Sequence, residues 1–253
     1  MRLPHPLYGL YERRLAASLH PDRVPRHIGV ILDGNRRWAR DSGLSSATGH
    51  RRGADKISDV LQWSEDVGVE VVTLWMLSTD NLARDPEELE HLLRVIEDVV
   101  GELAAERRWR VQAVGALDML PDRTASALKA AQDATADVRG LHVNVAVGYG
   151  GRREIADAVR SFLRVHAEAG ASLDELAEAF DVEHIAQHLY TKGQPDPDLV
   201  IRTSGEQRLG GFLMWQSAHS EFYFCDAYWP DFRRVDFLRA VRAYSQRQRR
   251  LGR

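Results

Sequence analysis

Apolar positions along the chain alternate between two kinds of pattern. Ile28-Gly-Val-Ile-Leu32 and Val71-Val-Thr-Leu-Trp-Met-Leu77 are short, almost wholly apolar and rich in β-branched residues, as strands covered on both faces should be. Leu141-His-Val-Asn-Val-Ala-Val147 alternates more, and Leu199-Val-Ile201 and Phe222-Tyr-Phe224 are shorter candidates. Between these runs lie stretches of helical period. The clearest puts Leu89, Leu92, Leu93, Ile96, Val99, Val100 and Leu103 on one face. Its start is marked by Asp85-Pro86-Glu87-Glu88: a capping acid, a proline suited to the first turn, and two carboxylates that complement the helix dipole. Further helices are predicted over 53–67, 124–138, 152–166, 172–180, 182–190 and 235–248. Strand, crossover helix and strand in alternation predict an α/β fold with a mostly parallel sheet.

At 253 residues the chain can bury one sizeable core, so a single domain over 1–253 is expected, with residues 1–26 as an N-terminal extension. A net charge of -3 provides no global basic field and argues against nucleic acid as the main partner. The single cysteine, Cys225, can form neither an internal disulfide nor a cysteine metal cage, which suits a reducing compartment; within Glu221-Phe-Tyr-Phe-Cys225 it reads as core filler. No run approaches about 18 apolar residues and the N-terminus has no apolar leader segment, so a cytoplasmic chain that neither spans a membrane nor is secreted is expected.

The chemistry gathers where strands end. Asp33-Gly34-Asn35-Arg36-Arg37-Trp38 follows the first strand, and ligands bind at the carboxyl ends of parallel strands. An acid, exposed backbone amides and two arginines suit a magnesium ion together with a diphosphate, because magnesium favours a carboxylate plus phosphate oxygens and arginine matches phosphate bidentately. Alone, the segment also fits an Asp-Gly turn with solvated arginines. Thr48-Gly49-His50-Arg51-Arg52-Gly53 is expected to open the next helix, whose first amides favour an anion; His50 fits a phosphate contact, a proton shuttle or an ordinary capping role. Ser78-Thr79-Asp80-Asn81 with Arg84 ends the second strand, where the same residues also suit helix capping. Asp198-Leu-Val-Ile-Arg202-Thr-Ser-Gly-Glu206-Gln-Arg208 offers two guanidiniums around a glycine loop, either a diphosphate clamp or surface ion pairs with Asp198 or Glu206. Glu221 stands beside Phe-Tyr-Phe as a second candidate metal ligand or a plain strand-edge acid.

Taken together, these segments closely resemble the cis-prenyltransferase, or undecaprenyl diphosphate synthase, family, over about residues 26 to 252. The marks are His27-Ile-Gly-Val-Ile-Leu-Asp-Gly-Asn-Arg-Arg-Trp-Ala39, Gly49-His50, Ser78-Thr-Asp-Asn81 with Arg84, Tyr149-Gly-Gly-Arg-Arg-Glu154, Asp198-Leu-Val-Ile-Arg-Thr-Ser-Gly-Glu206, and Glu221-Phe-Tyr-Phe with Trp229-Pro-Asp-Phe232. The resemblance implies a doubly wound sheet with a hydrophobic tunnel, a homodimer, peripheral membrane contact, and condensation of isopentenyl diphosphate with an allylic diphosphate. It implies that Asp33 binds Mg2+ on the allylic diphosphate and that Gly34, Asn35, Arg36 and Arg37 cradle that group, with Trp38 and His50 in the same pocket. Arg202 and Arg208 would hold the diphosphate of isopentenyl diphosphate, and Glu221 would assist the metal. Asn81, near Ser78, matches a position implicated in proton removal, although an amide is a poor base. Ser46, Thr79, Asp80, Leu82, Arg84, Leu209 and Gly210 complete the implied substrate contacts, and Arg250-Leu251-Gly252 resembles a tail that reaches a partner's site.

The chain departs from long-chain members at Arg36, Ser46, Leu77 and Leu82, where glycine, arginine, an aromatic and tryptophan are common, and at Gly210, where serine is usual. Arg36 is expected to offset the arginine missing at Ser46. Trp75, Met76 and Leu77 put bulk on the second strand, which predicts early termination and a short product, (2Z,6E)-farnesyl diphosphate from geranyl diphosphate. The rivals are a long-chain polyprenyl diphosphate synthase and a non-catalytic partner subunit; the latter has no need of Asp33, Arg37, Arg202 and Arg208. No Asp-Asp-x-x-Asp, G-x-G-x-x-G or P-loop signature occurs.

Overall fold

A computed structural model describes residues 5–247. Six strands, β1 (His27–Ile31), β2 (Val71–Ser78), β3 (Arg110–Val114), β4 (His142–Tyr149), β5 (Leu199–Arg202) and β6 (Glu221–Phe224), form one sheet in the order β3-β4-β2-β1-β5-β6, and every pairing is parallel. The helices are α1 (His5–Ala17), α2 (Asn35–Asp41), α3 (Ser46–Ala54), α4 (Lys56–Asp66), α5 (Pro86–Glu106), α6 (Asp122–Ala134), α7 (Gly151–Glu168), α8 (Leu173–Ala179), α9 (Val182–Ala186) and α10 (Arg234–Gln246). Every residue of β1 and β5 is buried, so these strands can carry apolar side chains on both faces. The main core joins one face of the sheet to α4, α5, α6 and α10; a smaller cluster on Ile31, Val114, Ala146, Tyr149, Val200, Phe212 and Leu213 covers the other.

Three expectations are revised. Strand β3 did not stand out in the sequence because it is a five-residue edge strand in which only Val111 and Val114 are buried. The single helix expected over 53–67 is two, broken at Asp55, and the first begins at Ser46, not within the Thr48–Gly53 segment. Its cap is Ser45, whose hydroxyl accepts from the Thr48 amide at 3.2 Å, so His50 lies inside the helix and the segment supplies no free N-terminal amides. The unexpected helix α2 instead starts directly after Asp33-Gly34. The N-terminal segment packs on the domain: α1 lies on α10, Leu15 is buried, and the Arg239 guanidinium sits 5.3 Å over the Tyr11 ring. Arg250-Leu251-Gly252 lies outside the described residues.

The order of strands positions the site. From β1 the chain crosses over to β2 on one side, while β5 pairs with β1 on the other and leads outward to β6. A crevice opens at such a reversal, outside the carboxyl ends of the two strands. Ile31 and Arg202 are register partners, so Asp33 and Arg202, 169 residues apart, emerge at that edge together.

Candidate active site

Asp33 is fixed by its own backbone first. Its amide donates to Thr203 Oγ1 at 2.9 Å, and its carbonyl accepts from that hydroxyl at 2.7 Å and from the Trp229 amide at 3.0 Å. The carboxylate is then shared between two guanidiniums, Oδ2 taking Arg202 Nη2 at 2.7 Å and Oδ1 taking Arg37 Nη2 at 3.2 Å. Burial pushes the Asp33 pKa up, but the contacts from Arg202, Ser204 and Arg37 outweigh it, and the carboxyl is held below its ordinary range. Arg37 also donates to Ser204 Oγ at 2.6 Å and Glu206 Oε1 at 3.0 Å. Ser204 has φ of 78°, a left-handed conformation unusual outside glycine, which turns the loop after β5 back toward Arg37. Arg202, with a side chain only 7% exposed, donates to the Arg208 carbonyl as well, while its Nε has no partner. Arg208 pairs with Glu206 on the open side.

Glycines bring the second element of the wall close. A Cβ on Gly49 would stand 2.3 Å from the Asn35 carbonyl oxygen, and one on Gly53 would stand 2.2 Å from Asn35 Oδ1. Only residues without side chains let α3 pack this tightly on α2. Trp229 secures the contact by donating its indole N–H to the Gly53 carbonyl at 2.7 Å. His50 is thereby buried beside the cleft, and burial, helped by the Arg84 charge, pushes its pKa down to about 4, so the imidazole is neutral near pH 7. Glu88, from the first turn of α5, lies 3.8 Å from His50 Nε2, 3.4 Å from Arg84 Nη1 and 3.4 Å from Arg36 Nε. From the sequence Glu88 is only a helix-start acid and Ser204 only part of the Arg202-Thr-Ser-Gly-Glu206 motif; the two hydroxyl residues that follow β5 are the signal that marks Ser204.

Asp33, Arg36, Arg37, Arg202, Arg208, His50 and Arg84 line one cleft of about 690 Å³, with Glu88, Ser204 and Glu206 bonded to them from behind. Of the candidates from the sequence it collects Asp33, Gly34, Asn35, Arg36, Arg37, Ser46, His50, Ser78, Asn81, Arg84, Arg202, Arg208 and Gly210. Trp38, Thr79, Asp80, Leu82 and Leu209 are not among its lining residues. The Thr79 amide donates to the Tyr149 carbonyl at 3.1 Å, and its hydroxyl lies against Gly150, where a Cβ would stand 2.6 Å from it. Glu221 is not brought to Asp33 within one chain: it begins β6 opposite Leu199, three residues before Arg202 on β5, and its carboxylate pairs with Arg247. Among the described residues no group of three His, Cys, Asp or Glu side chains can cage a metal.

Apolar side chains form the rest of the lining: Leu44, Ala54 and Ile57, then Leu92, Val95 and Ile96 of α5, with Trp75, Met76 and Leu77 of β2. Strict alternation would put Met76 and Leu77 on opposite faces. A bulge in the β2–β4 pairing, where Trp75 faces Ala146 but Leu77 faces Val147, adds one residue and brings Met76 and Leu77 against the same main core. Trp75 packs in the smaller cluster, stacked on Phe212 with ring centroids 5.2 Å apart. Its ring also explains Gly210: a Cβ there would lie 3.3 Å from Trp75 Cη2, on a backbone with φ of 62°.

Comparison with known proteins agrees with this arrangement. The pattern of the prenyltransferase family described as undecaprenyl diphosphate synthase matches residues 31–252. A (2Z,6E)-farnesyl diphosphate synthase of Thermobifida fusca is 66% identical over 98% of this chain and 97% of that one. A short-chain Z-isoprenyl diphosphate synthase of Mycobacterium leprae is 56% identical over 99% and 97%. The crystal structure of lavandulyl diphosphate synthase from Lavandula x intermedia, in complex with dimethylallyl diphosphate, superposes with a TM-score of 0.84 at 33% identity, covering 92% of this chain and 100% of that one. With its parallel sheet, its arginine-flanked carboxylate at the β1–β5 edge and a match through nearly its whole length, the chain belongs to the undecaprenyl diphosphate synthase, or cis-prenyltransferase, family.

Proposed function

We propose that this chain joins isopentenyl diphosphate to geranyl diphosphate with Z geometry and releases (2Z,6E)-farnesyl diphosphate. The observation that carries the reading is one cleft with two chemistries: a carboxylate between guanidiniums, and an apolar lining in which a bulge aligns Met76 and Leu77. The names of the relatives above support the short product.

The roles proposed for the cleft are those the family resemblance implies, and the grouping of these residues in one cleft supports them. Arg37, with Gly34, Asn35 and Arg36, receives the allylic diphosphate, and Arg36 acts on the wall where Ser46 replaces the family's arginine. Arg202 and Arg208 receive the diphosphate of isopentenyl diphosphate. A lone ionised carboxylate facing a diphosphate site fits magnesium, which keeps water and phosphate oxygens as its other ligands, so Asp33 would hold the ion. Bound there, magnesium supplies charge neutralisation for the departing diphosphate. The arginines stabilise the same developing charge with donors already held in place. Asn81 and Ser78 border the cleft where the proton leaves, and His50, neutral near pH 7, lines the same cleft. A growing prenyl tail lies along α5, and the bulk of Met76 and Leu77 limits its length.

The proposal extends to one domain over 1–253 with 1–26 as an extension, and to a homodimer, which the unpaired edge at β6 and half-exposed Phe224 support. A cytoplasmic location with peripheral membrane contact suits the lone buried Cys225, and no described helix is long and apolar enough to cross a membrane. The test is incubation of the purified protein with isopentenyl diphosphate and dimethylallyl, geranyl or E,E-farnesyl diphosphate in magnesium, reading product length and double-bond geometry. A C15 product with a Z bond from geranyl diphosphate is expected; long polyprenyl products, or no condensation with any primer, would overturn the reading.

A further inference from the structure

The Tyr149-Gly-Gly-Arg-Arg-Glu154 segment takes no part in the cleft, yet it holds one of the most deeply buried acids in the protein. Glu154, 0% exposed in the first turn of α7, has no cation among its hydrogen-bond partners. It accepts instead from the Tyr149 hydroxyl at 2.5 Å, the Tyr190 amide at 3.0 Å, and Gln216 Nε2 at 3.1 and 3.2 Å. Gln216 Nε2 also donates to Thr191 Oγ1 at 3.0 Å. Burial raises the Glu154 pKa while these donors lower it. Burying a carboxylate is costly unless each oxygen is matched, so a purely structural position would more economically carry an apolar side chain.

What the acid holds is the segment 208–216. Gln216 is its far end. In the middle, the Gly151 amide donates to the Gly211 carbonyl at 2.9 Å, an approach that a Cβ on Gly151 would block at 2.6 Å from the same oxygen. Phe212, fully buried, lies edge-on to Tyr149 at 6.0 Å. The near end carries Arg208 and the carbonyl on which Arg202 rests. The segment is thus held at its far end and middle by the Tyr149–Glu154 turn, while its near end is held by groups of the cleft: Arg202 on the Arg208 carbonyl, Glu206 on the Arg208 guanidinium, and Trp75 against Gly210.

We propose that Glu154 is a positioning residue for the isopentenyl diphosphate side of the cleft, acting through Gln216 and the 208–216 segment to set Arg208 and Arg202. This rests on the proposed assignment of those two arginines. The larger effect is expected on isopentenyl diphosphate, because Glu154 reaches the allylic side only at second hand, through the Arg202–Asp33 and Arg208–Glu206 pairs.

The test is Glu154→Gln, which keeps volume but faces Gln216 Nε2 or the Tyr149 hydroxyl with a second N–H donor. Leaving one buried donor unmatched should raise KM for isopentenyl diphosphate about tenfold, with KM for the allylic primer changed less than about twofold. Gln216→Met cuts the same link from the other side and should give the same split, so the proposal stays testable if Glu154→Gln fails to fold. The exchange Glu154→Gln with Gln216→Glu restores one donor–acceptor pair and should recover part of the loss. A fall in kcat with both KM values unchanged, an equal rise in both, or no recovery in the exchange would each overturn the proposal. Arg208→Ala serves as the reference. If it weakens isopentenyl diphosphate and the Glu154 and Gln216 variants do not, the positioning role alone fails; if it does not, the clamp assignment fails first.

Discussion

Replacing Asp33 separates two things the structure puts on one side chain. Its carboxylate faces the cleft as the proposed magnesium ligand and also neutralises Arg202, whose side chain is 7% exposed and whose Nε already lacks a partner. Asp33→Ala removes no core volume, so the fold survives, but it leaves Arg202 with a guanidinium nitrogen unmatched and Arg37 close by without the intervening charge. Losing a charged hydrogen bond of this kind costs about 2 kcal/mol, offset only in part by solvent reaching the half-buried site. For a chain of this size that lowers the midpoint of thermal unfolding by about 4–8 °C. Turnover in saturating magnesium should fall below detection at 25 °C, a temperature at which the variant remains folded by circular dichroism. Asp33→Asn keeps one acceptor for Arg202 and should recover much of the thermal loss without recovering turnover. Near-normal magnesium-dependent activity in Asp33→Ala would refute the catalytic assignment; an unchanged unfolding midpoint would refute the claim that Arg202 depends on Asp33.

Arg202→Ala and Arg208→Ala should weaken isopentenyl diphosphate at least about tenfold more than the allylic primer, as separate titrations by steady-state kinetics would show; equal losses would count against the two-sided cleft. Met76→Ala and Leu77→Ala should both lengthen the product, because the bulge aligns them, whereas Trp75→Ala should chiefly destabilise the Phe212 cluster; product chromatography decides. Leu77→Ala also empties a site that is 1% exposed, at a cost of about 2–4 kcal/mol in denaturant unfolding. His27 is buried between the Pro195 carbonyl and Thr73 Oγ1, and burial lowers its pKa to about 4 from 6.5. A depressed histidine favours the neutral folded state, so its contribution is complete above pH 6.5 and is lost as pH falls through 4, about 3 kcal/mol in all. Urea midpoints between pH 7 and 4 should therefore fall more steeply for the native chain than for His27→Gln.

Much of this protein is legible in one dimension. Strands β1, β2, β4 and β5 announce themselves because burial on both faces demands continuous apolar runs, β6 by its aromatic Phe222-Tyr-Phe224 run although it is a partly exposed edge strand, and α5 because a long helix on a core needs a wide apolar stripe with an acidic, capped start. The charged residues of the cleft are also visible, since they follow strand ends where ligands bind. What the linear pattern does not hold is anything set by contact between distant segments. β3 is too short and too exposed at the sheet edge to show a period, and α2 is a single seven-residue element hidden within a motif that reads as a loop. Whether Glu221 reaches Asp33 depends on the β5–β6 register, which puts it opposite Leu199. That Met76 and Leu77 both line the apolar wall depends on one inserted residue in the pairing with β4, which overturns what alternation predicts for this pair. The pairing of Asp33 with Arg202, the gathering of Arg36, His50 and Arg84 on Glu88, and the burial of Glu154 among neutral donors were decided by packing alone. Sequence specifies which groups a chain can offer to a site, but the distances that set their charge and partners exist only once the sheet has closed around them.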